Sequence, residues 1–181
     1  MDSQRVRGAT DLATYMAASV TYSATAAATV VFSISGSTSR LVRVHRILFS
    51  ATQTVAGNIG DWRLEKRSTA NTAGTSASMT AVPNDSGVIP ATASVRNYTD
   101  NPSALGTLTG IIYQPRMLVP APATAVNPAY VFDLDCTTLL NGQPISLRGT
   151  AEHLDLNFGG GTIPTGLANL QATVVWTEEK K

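Results

Sequence analysis

Residues Ser39 to Ser68 read S-R-L-V-R-V-H-R-I-L-F-S-A-T-Q-T-V-A-G-N-I-G-D-W-R-L-E-K-R-S. From Arg40 to Thr52 the run is dense in β-branched and aromatic residues, which pack well on a pleated surface. Its apolar residues fall on both parities, Leu41, Ile47 and Phe49 on one, Val42, Val44 and Leu48 on the other. A strand of that kind is buried on both faces, or carries a bulge that switches its inward side. Thr54 to Gly60 holds the Gly and Asn residues a chain reversal needs, and Trp62 and Leu64 then alternate with Arg63, Glu65 and Arg67. The stretch predicts a β-hairpin at the centre of an antiparallel sandwich, with the charged side of its return strand in solvent.

The rest of the chain extends the same pattern. Val30, Phe32 and Ile34 alternate with Ser33, and Phe32 leads toward a turn at Gly36 to Ser39. Phe132, Leu134 and Cys136 read as inward, opposite Val131, Asp133 and Asp135. Ile145 and Leu147 follow the Asn141-Gly142 turn signal. Leu154, Leu156 and Phe158 face a core while His153, Asp155 and Asn157 face out, and the last strand, Ala168 to Glu178, buries Leu170, Ala172, Val174 and Trp176. Pro115 divides the apolar run from Leu108 to Pro120 and puts it at an edge or a bulge. Residues 69–90, rich in Ala, Ser, Thr, Asn and Gly, read as a long loop. The expected fold is all-β, a jelly-roll-like antiparallel β-sandwich over residues 24–181 with a short N-terminal arm over residues 1–23. On that arm Asp11 would cap a turn of helix through Leu12, Tyr15 and Met16, spaced for one helical face.

Bulk properties narrow the function classes. At 181 residues the chain has room for one domain with a sizeable core. With 14% charged residues and a formal net charge of +1, it lacks the basic stripe that supplies nucleic-acid affinity. The single cysteine, Cys136, excludes an intrachain disulfide. Met1 to Leu12 shows no apolar core of signal-peptide length, and no run reaches membrane-spanning length.

Candidate chemistry is thin. Glu152, His153 and Asp155 lie close together, yet a metal centre needs three or four converging ligands, and His45 is the other histidine. Asp133 and Asp135 share a face in a strand rather than in a calcium-type loop, beside arginines able to pair with them. Cys136 has no basic neighbour to make it a nucleophile, and Gly159 to Gly161 precede Ile163-Pro164 rather than a phosphate-binding helix. Trp62 and Trp176 read as core rather than as a sugar platform. The basic concentration of Arg40, Arg43, His45, Arg46, Arg63, Lys66 and Arg67 is either a contact patch for an acidic partner or a set of cross-strand pairs.

Several strings resemble small β-rich virion proteins of tailed bacteriophages: Arg43-Val-His-Arg-Ile47, Asp61 to Asn71, Ala81 to Ser86, Arg148 to Glu152 and Val175-Trp-Thr-Glu178. The resemblance covers about Arg40 to Glu178 and includes no catalytic signature. It implies a subunit made in the bacterial cytoplasm that decorates or cements the capsid. Its partners would be the major capsid protein, other virion proteins and copies of itself, a trimer being favoured. The alternative is a tail or receptor- and carbohydrate-binding module. No enzyme activity, cofactor, metal, nucleic acid or membrane is expected. Candidate partner contacts are Arg5, Arg7, Leu12, Tyr15 and Met16 on the arm, with Arg43, Arg46 and Arg67 on the expected hairpin.

Overall fold

The structure, a computed structural model, describes residues 12–25, 30–55, 58–119, 129–139, 141–159 and 163–181. In chain order its elements are β1 (Leu12–Ala18), β2 (Val30–Ser35), β3 (Arg40–Gln53), β4 (Asn58–Asp61), β5 (Arg63–Arg67), β6 (Ser76–Ser78) and β7 (Ala81–Pro83). There follow β8 (Val95–Tyr98), β9 (Leu108–Tyr113), β10 (Arg116–Val119), β11 (Ala129–Asp135), a single helical turn α1 (Cys136–Leu139), β12 (Ile145–Leu147), β13 (His153–Asn157) and β14 (Leu167–Lys180). The first sheet runs β11-β3-β14-β1-β7, with β12 beside β3 where β11 has ended. The second runs β6-β8-β2-β13-β5-β9, and β4 with β10 forms a separate ribbon. Among the described strands every pairing is antiparallel. The result is an all-β sandwich whose chain crosses between sheets at most connections.

β3 is the long strand at the centre of the first sheet, and its two-sided apolar pattern resolves as a bulge. Val175 of β14 faces Arg46, whereas the next residue, Trp176, faces Val44, so His45 is the extra residue. Before the bulge Val42 and Val44 point inward; after it Ile47, Phe49, Ala51 and Gln53 do. The hairpin expectation fails. β3 pairs with β14, β11 and β12, while β5 lies in the opposite sheet between β13 and β9. Both runs have large apolar faces, and burying these against each other across the sandwich takes precedence over pairing edge to edge.

The core sits between the sheets around two tryptophans. Trp62 meets Phe158 at a ring-centroid distance of 4.2 Å, Phe49 at 4.9 Å and Phe132 at 6.2 Å. Trp176 stacks on Tyr15 at 5.6 Å with 26° between the planes. Leu154, Leu156, Leu170, Val174 and Leu147 complete it, each on the parity its strand pattern assigns.

Two other expectations need correction. Leu12 to Met16 forms no helical turn. It belongs to β1, which pairs with β14 from Leu12 opposite Glu179 to Ala18 opposite Thr173, and with β7 on its other side. Ala13, Tyr15 and Ala17 are the buried set, so an Ala-Tyr-Ala alternation prevails over the helical spacing of Leu12, Tyr15 and Met16. Asp11, Arg5 and Arg7 lie outside the described residues. Residues 69–90 are not one loop, since they contribute β6 to the second sheet and β7 to the first.

Candidate interaction surface

The outer face of the first sheet carries no covering layer among the described residues. On β1 it presents Leu12, Thr14, Met16 and Ala18, and Met16 stands directly across from Val82 of β7 and Val175 of β14. Leu12, Met16 and Val82 are 53%, 41% and 54% exposed. Further along, Arg46 binds Asp133 with Nε to Oδ1 at 2.8 Å, and Arg43 binds Glu179 through Nη2 to Oε2 at 3.0 Å. Val131 at the far side is exposed as well. Arg43 and Arg46 are therefore paired within the face, the exposed Asp135 is bonded by Thr137 and Thr138, and Thr14, Thr173, Val175 and Thr177 lie between.

Of the sequence-chosen contact residues, Leu12, Met16, Arg43 and Arg46 share this surface. Tyr15 does not. It is fully buried, stacks on Trp176 and donates its hydroxyl to the Ile89 carbonyl at 2.8 Å. Arg67 lies on the other sheet and is also buried, because Asn71 and the chain around Gly106 close over the outer face of β5 and β13. Its Nε donates to Asp155 Oδ2 at 2.9 Å, its Nη1 to the Gly106 carbonyl at 2.6 Å, and its Nη2 to Glu65. Lys66 reaches Glu152 and the Ser146 carbonyl on β12. Within the basic concentration Arg43, Arg46, Arg63, Lys66 and Arg67 thus form ion pairs divided between two sheets, and His45 bonds the Thr177 hydroxyl.

Polar residues form two buried clusters, the first of them from residues read as solvent-facing. Asp155 and Glu65, directly opposed on β13 and β5, are bridged by Arg67, and Asn71 adds a 2.8 Å bond to Asp155 Oδ2. In the first sheet Glu178 of β14 is fully buried and accepts the backbone N–H groups of Thr92 and Ala93, the Thr92 hydroxyl and the Trp176 indole N–H. A carboxylate at an inward strand position was the available sign of that second cluster, and strand parity alone gave it no role.

The remaining candidates are structural. Among the described residues no three His, Cys, Asp or Glu side chains converge as metal ligands. Asp135 accepts from the N–H groups and hydroxyls of Thr137 and Thr138 at the start of α1, which holds its pKa down at about 2. The Arg46 guanidinium likewise lowers that of Asp133. Cys136 is buried, and its thiol is pushed up to about 12, first by burial and then by the charge of Asp135. Gly159 adopts a positive φ at the end of β13, as a turn requires, while 160–162 lie outside the described residues. Both tryptophans are fully buried, which removes them as a sugar platform.

His153 lies between Thr150 and Ser33. The Thr150 carbonyl, 3.1 Å from Nε2, can only accept, so Nε2 carries the proton of the neutral ring and Nδ1 accepts from the Ser33 hydroxyl at 3.2 Å. Burial lowers its pKa below the ordinary 6.5; Arg96 adds to this, and Asp155 and the Thr150 carbonyl oppose it. His45 is shifted the same way by burial and Arg43. With the folded pKa depressed, the unfolded chain takes up the proton first as pH falls. Stability is therefore full above the ordinary histidine value and declines as pH drops toward the folded one. Urea midpoints should fall between about pH 7.5 and pH 5.5, and the paired change His45→Gln and His153→Gln should flatten that slope. An unchanged slope in the double variant would refute the assignment.

Comparison with family models, curated proteins and solved structures returned no match for the chain. No described helix is long and apolar enough to cross a membrane.

Proposed function

We propose that the chain is a structural subunit of a tailed-phage particle, a capsid decoration or cement protein that assembles with the shell and with copies of itself. The observation that carries this reading is the outer face of the first sheet. There, exposed Leu12, Met16 and Val82 lie in register beside ion pairs that are already neutralised. Such a face gains by burial against another protein, since hiding apolar area is favourable and the two arginines on it are already paired. Binding the assembled shell then stabilises it by mass action. The sequence resemblance to virion proteins supplies the identity of the partner.

The test is quantitative mass spectrometry of particles purified from an induced culture of the source bacterium, with the wild-type chain and with Met16→Lys/Val82→Lys. The wild type should occur in a copy number set by the shell lattice. The variant should keep its thermal midpoint, because both side chains are exposed, and fall at least about tenfold in occupancy. Particles lacking the wild-type chain would overturn the proposal, and a chain confined to tails would move it to the tail-module alternative.

A further inference from the structure

We infer that Ser33 is a proton-linked hydrogen-bond switch: when His153 takes up a proton, the Ser33 hydroxyl turns from the ring to Asp155 Oδ1, and the buried Arg67 cluster gains a donor. The device lies in the second sheet and goes beyond the proposed function, which uses the outer face of the first.

Register brings the three side chains together. Asp155 of β13 stands directly opposite Ser33 of β2, and His153 precedes Asp155 by two residues, so all three share the outer face of the second sheet. Side chains opposed in this way start about 4.5–5.5 Å apart at Cβ, a span that a hydroxyl and a carboxylate can close. The His153 ring leans toward the same serine, with Nδ1 3.2 Å from Ser33 Oγ and Nε2 3.1 Å from the Thr150 carbonyl. Asp155 Oδ2 accepts from Arg67 and Asn71, whereas Oδ1 is buried and has no hydrogen-bond partner among the described residues. A buried oxygen left without a donor is costly, and Ser33 is the hydroxyl placed across from it.

The protons can be followed one at a time. In the neutral ring Nε2 carries the hydrogen, because the Thr150 carbonyl only accepts, and Ser33 spends its single hydroxyl hydrogen on Nδ1. A proton arriving from solvent therefore binds Nδ1. That nitrogen then donates to Ser33 Oγ, which keeps its own hydrogen and is free to turn it toward Asp155 Oδ1. One neutral bond is replaced by two with a charged partner each, which are the stronger kind. The charges around the ring leave this path open. Arg67, opposite His153 on β5, is engaged by Asp155 and Glu65, and Glu152 is held by Lys66 and the Arg148 N–H. Asp155 favours the added proton, while burial and Arg96 on β8 oppose it, so the switch works on the acid side of the ordinary histidine range. The turn at Thr150 is exposed, and the cluster is closed over. Protonation is thus coupled from the edge of the sheet to its buried ions.

The experiment is NMR titration of the histidine rings in the full chain. The chain has two histidines, so His45→Gln assigns the His153 signals. Ring ¹⁵N shifts at neutral pH should show the Nε2–H form in the wild type; the Nδ1–H form would overturn the inference without any variant. Ser33→Ala removes both bonds of the protonated state and one of the neutral state, so the proton-binding constant of His153 should fall at least about twofold. The same change made in Arg67→Met/Glu65→Leu/Asp155→Leu, which lacks the receiving oxygen, should have little effect. A constant that is unchanged or raised by Ser33→Ala, or lowered equally in both backgrounds, shows that the hydroxyl serves the ring alone and overturns the inference.

Discussion

Arg67→Met should destabilise the fold by about 3–5 kcal/mol, the range for removing one member of a buried ion pair. On a chain of this size that lowers the thermal midpoint by roughly 10 °C or more. Asp155 and Glu65 are opposed across β13 and β5 and almost wholly excluded from water. Two carboxylates so placed repel each other, and Arg67 contacts both. Asp155 Oδ1 makes no hydrogen bond among the described residues, so that carboxylate depends on Arg67 and Asn71 through Oδ2. A methionine would fill the space but supply no donor, leaving Asp155 without a cation, Glu65 with Arg63 alone at 3.9 Å, and the Gly106 carbonyl without this donor. The triple change Arg67→Met/Glu65→Leu/Asp155→Leu should recover most of the loss, because an apolar replacement of the whole network removes the desolvation penalty along with the attraction. Thermal and urea unfolding of the three proteins decide it. A single variant within about 1 kcal/mol of wild type would show that water enters beneath the residues around Gly106 and solvates the carboxylates.

That cluster also marks where the sequence stops being legible. Strand parity placed Leu154, Leu156, Phe132, Val174 and Trp176 inward, and all are buried. Parity distinguishes the two faces of a strand, but it does not reveal whether the far face meets water or another layer of chain. His153, Asp155, Asn157, Glu65 and Arg67 were read as solvated on parity alone, and Asp155, Asn157, Glu65 and Arg67 are buried. The hairpin error has a related origin. Two strands adjacent in sequence pair readily if they share a sheet, whereas β3 and β5 are joined through β4, whose partner β10 comes more than fifty residues later. The bulge at His45 was legible as one of two options, because a parity switch leaves its trace in the positions of Val44 and Ile47. β1 was misread for want of hydrophobic contrast, since Ala13 and Ala17 bury little area and make a weak period-two signal beside Leu12 and Met16. On the candidate surface, Leu12, Met16, Arg43 and Arg46 were found from sequence. Val82 was missed because an exposed three-residue strand inside a Ser- and Thr-rich stretch has no periodicity to detect.

Glu178→Ala should cost a similar amount, about 3 kcal/mol or more, by a different route. No cation pairs with Glu178 in the bonds described. Oε1 accepts from the backbone of Thr92 at 2.9 Å, of Ala93 at 2.9 Å and from the Trp176 indole at 3.1 Å, and Oε2 from the Thr92 hydroxyl at 2.6 Å. These bonds tie the end of β14, in the first sheet, to the segment that enters β8 in the second. Alanine would leave the Trp176 indole N–H buried without an acceptor, at about 1–3 kcal/mol, and would strip the partly buried Thr92 and Ala93 N–H groups of theirs. Some of that sum will be recovered by water entering the space the side chain vacates. Glutamine distinguishes the causes. It has nearly the shape of glutamate and keeps one acceptor oxygen, but its amide N–H₂ would point at donors. Glu178→Gln should therefore remain well below wild type, whereas a role in packing alone would make it nearly neutral. Amide exchange provides the local readout, since Thr92 and Ala93 should lose protection in both variants while the β13 amides keep theirs. If Thr92 and Ala93 exchange as slowly in Glu178→Ala as in wild type, the carboxylate is not what holds that segment to β14.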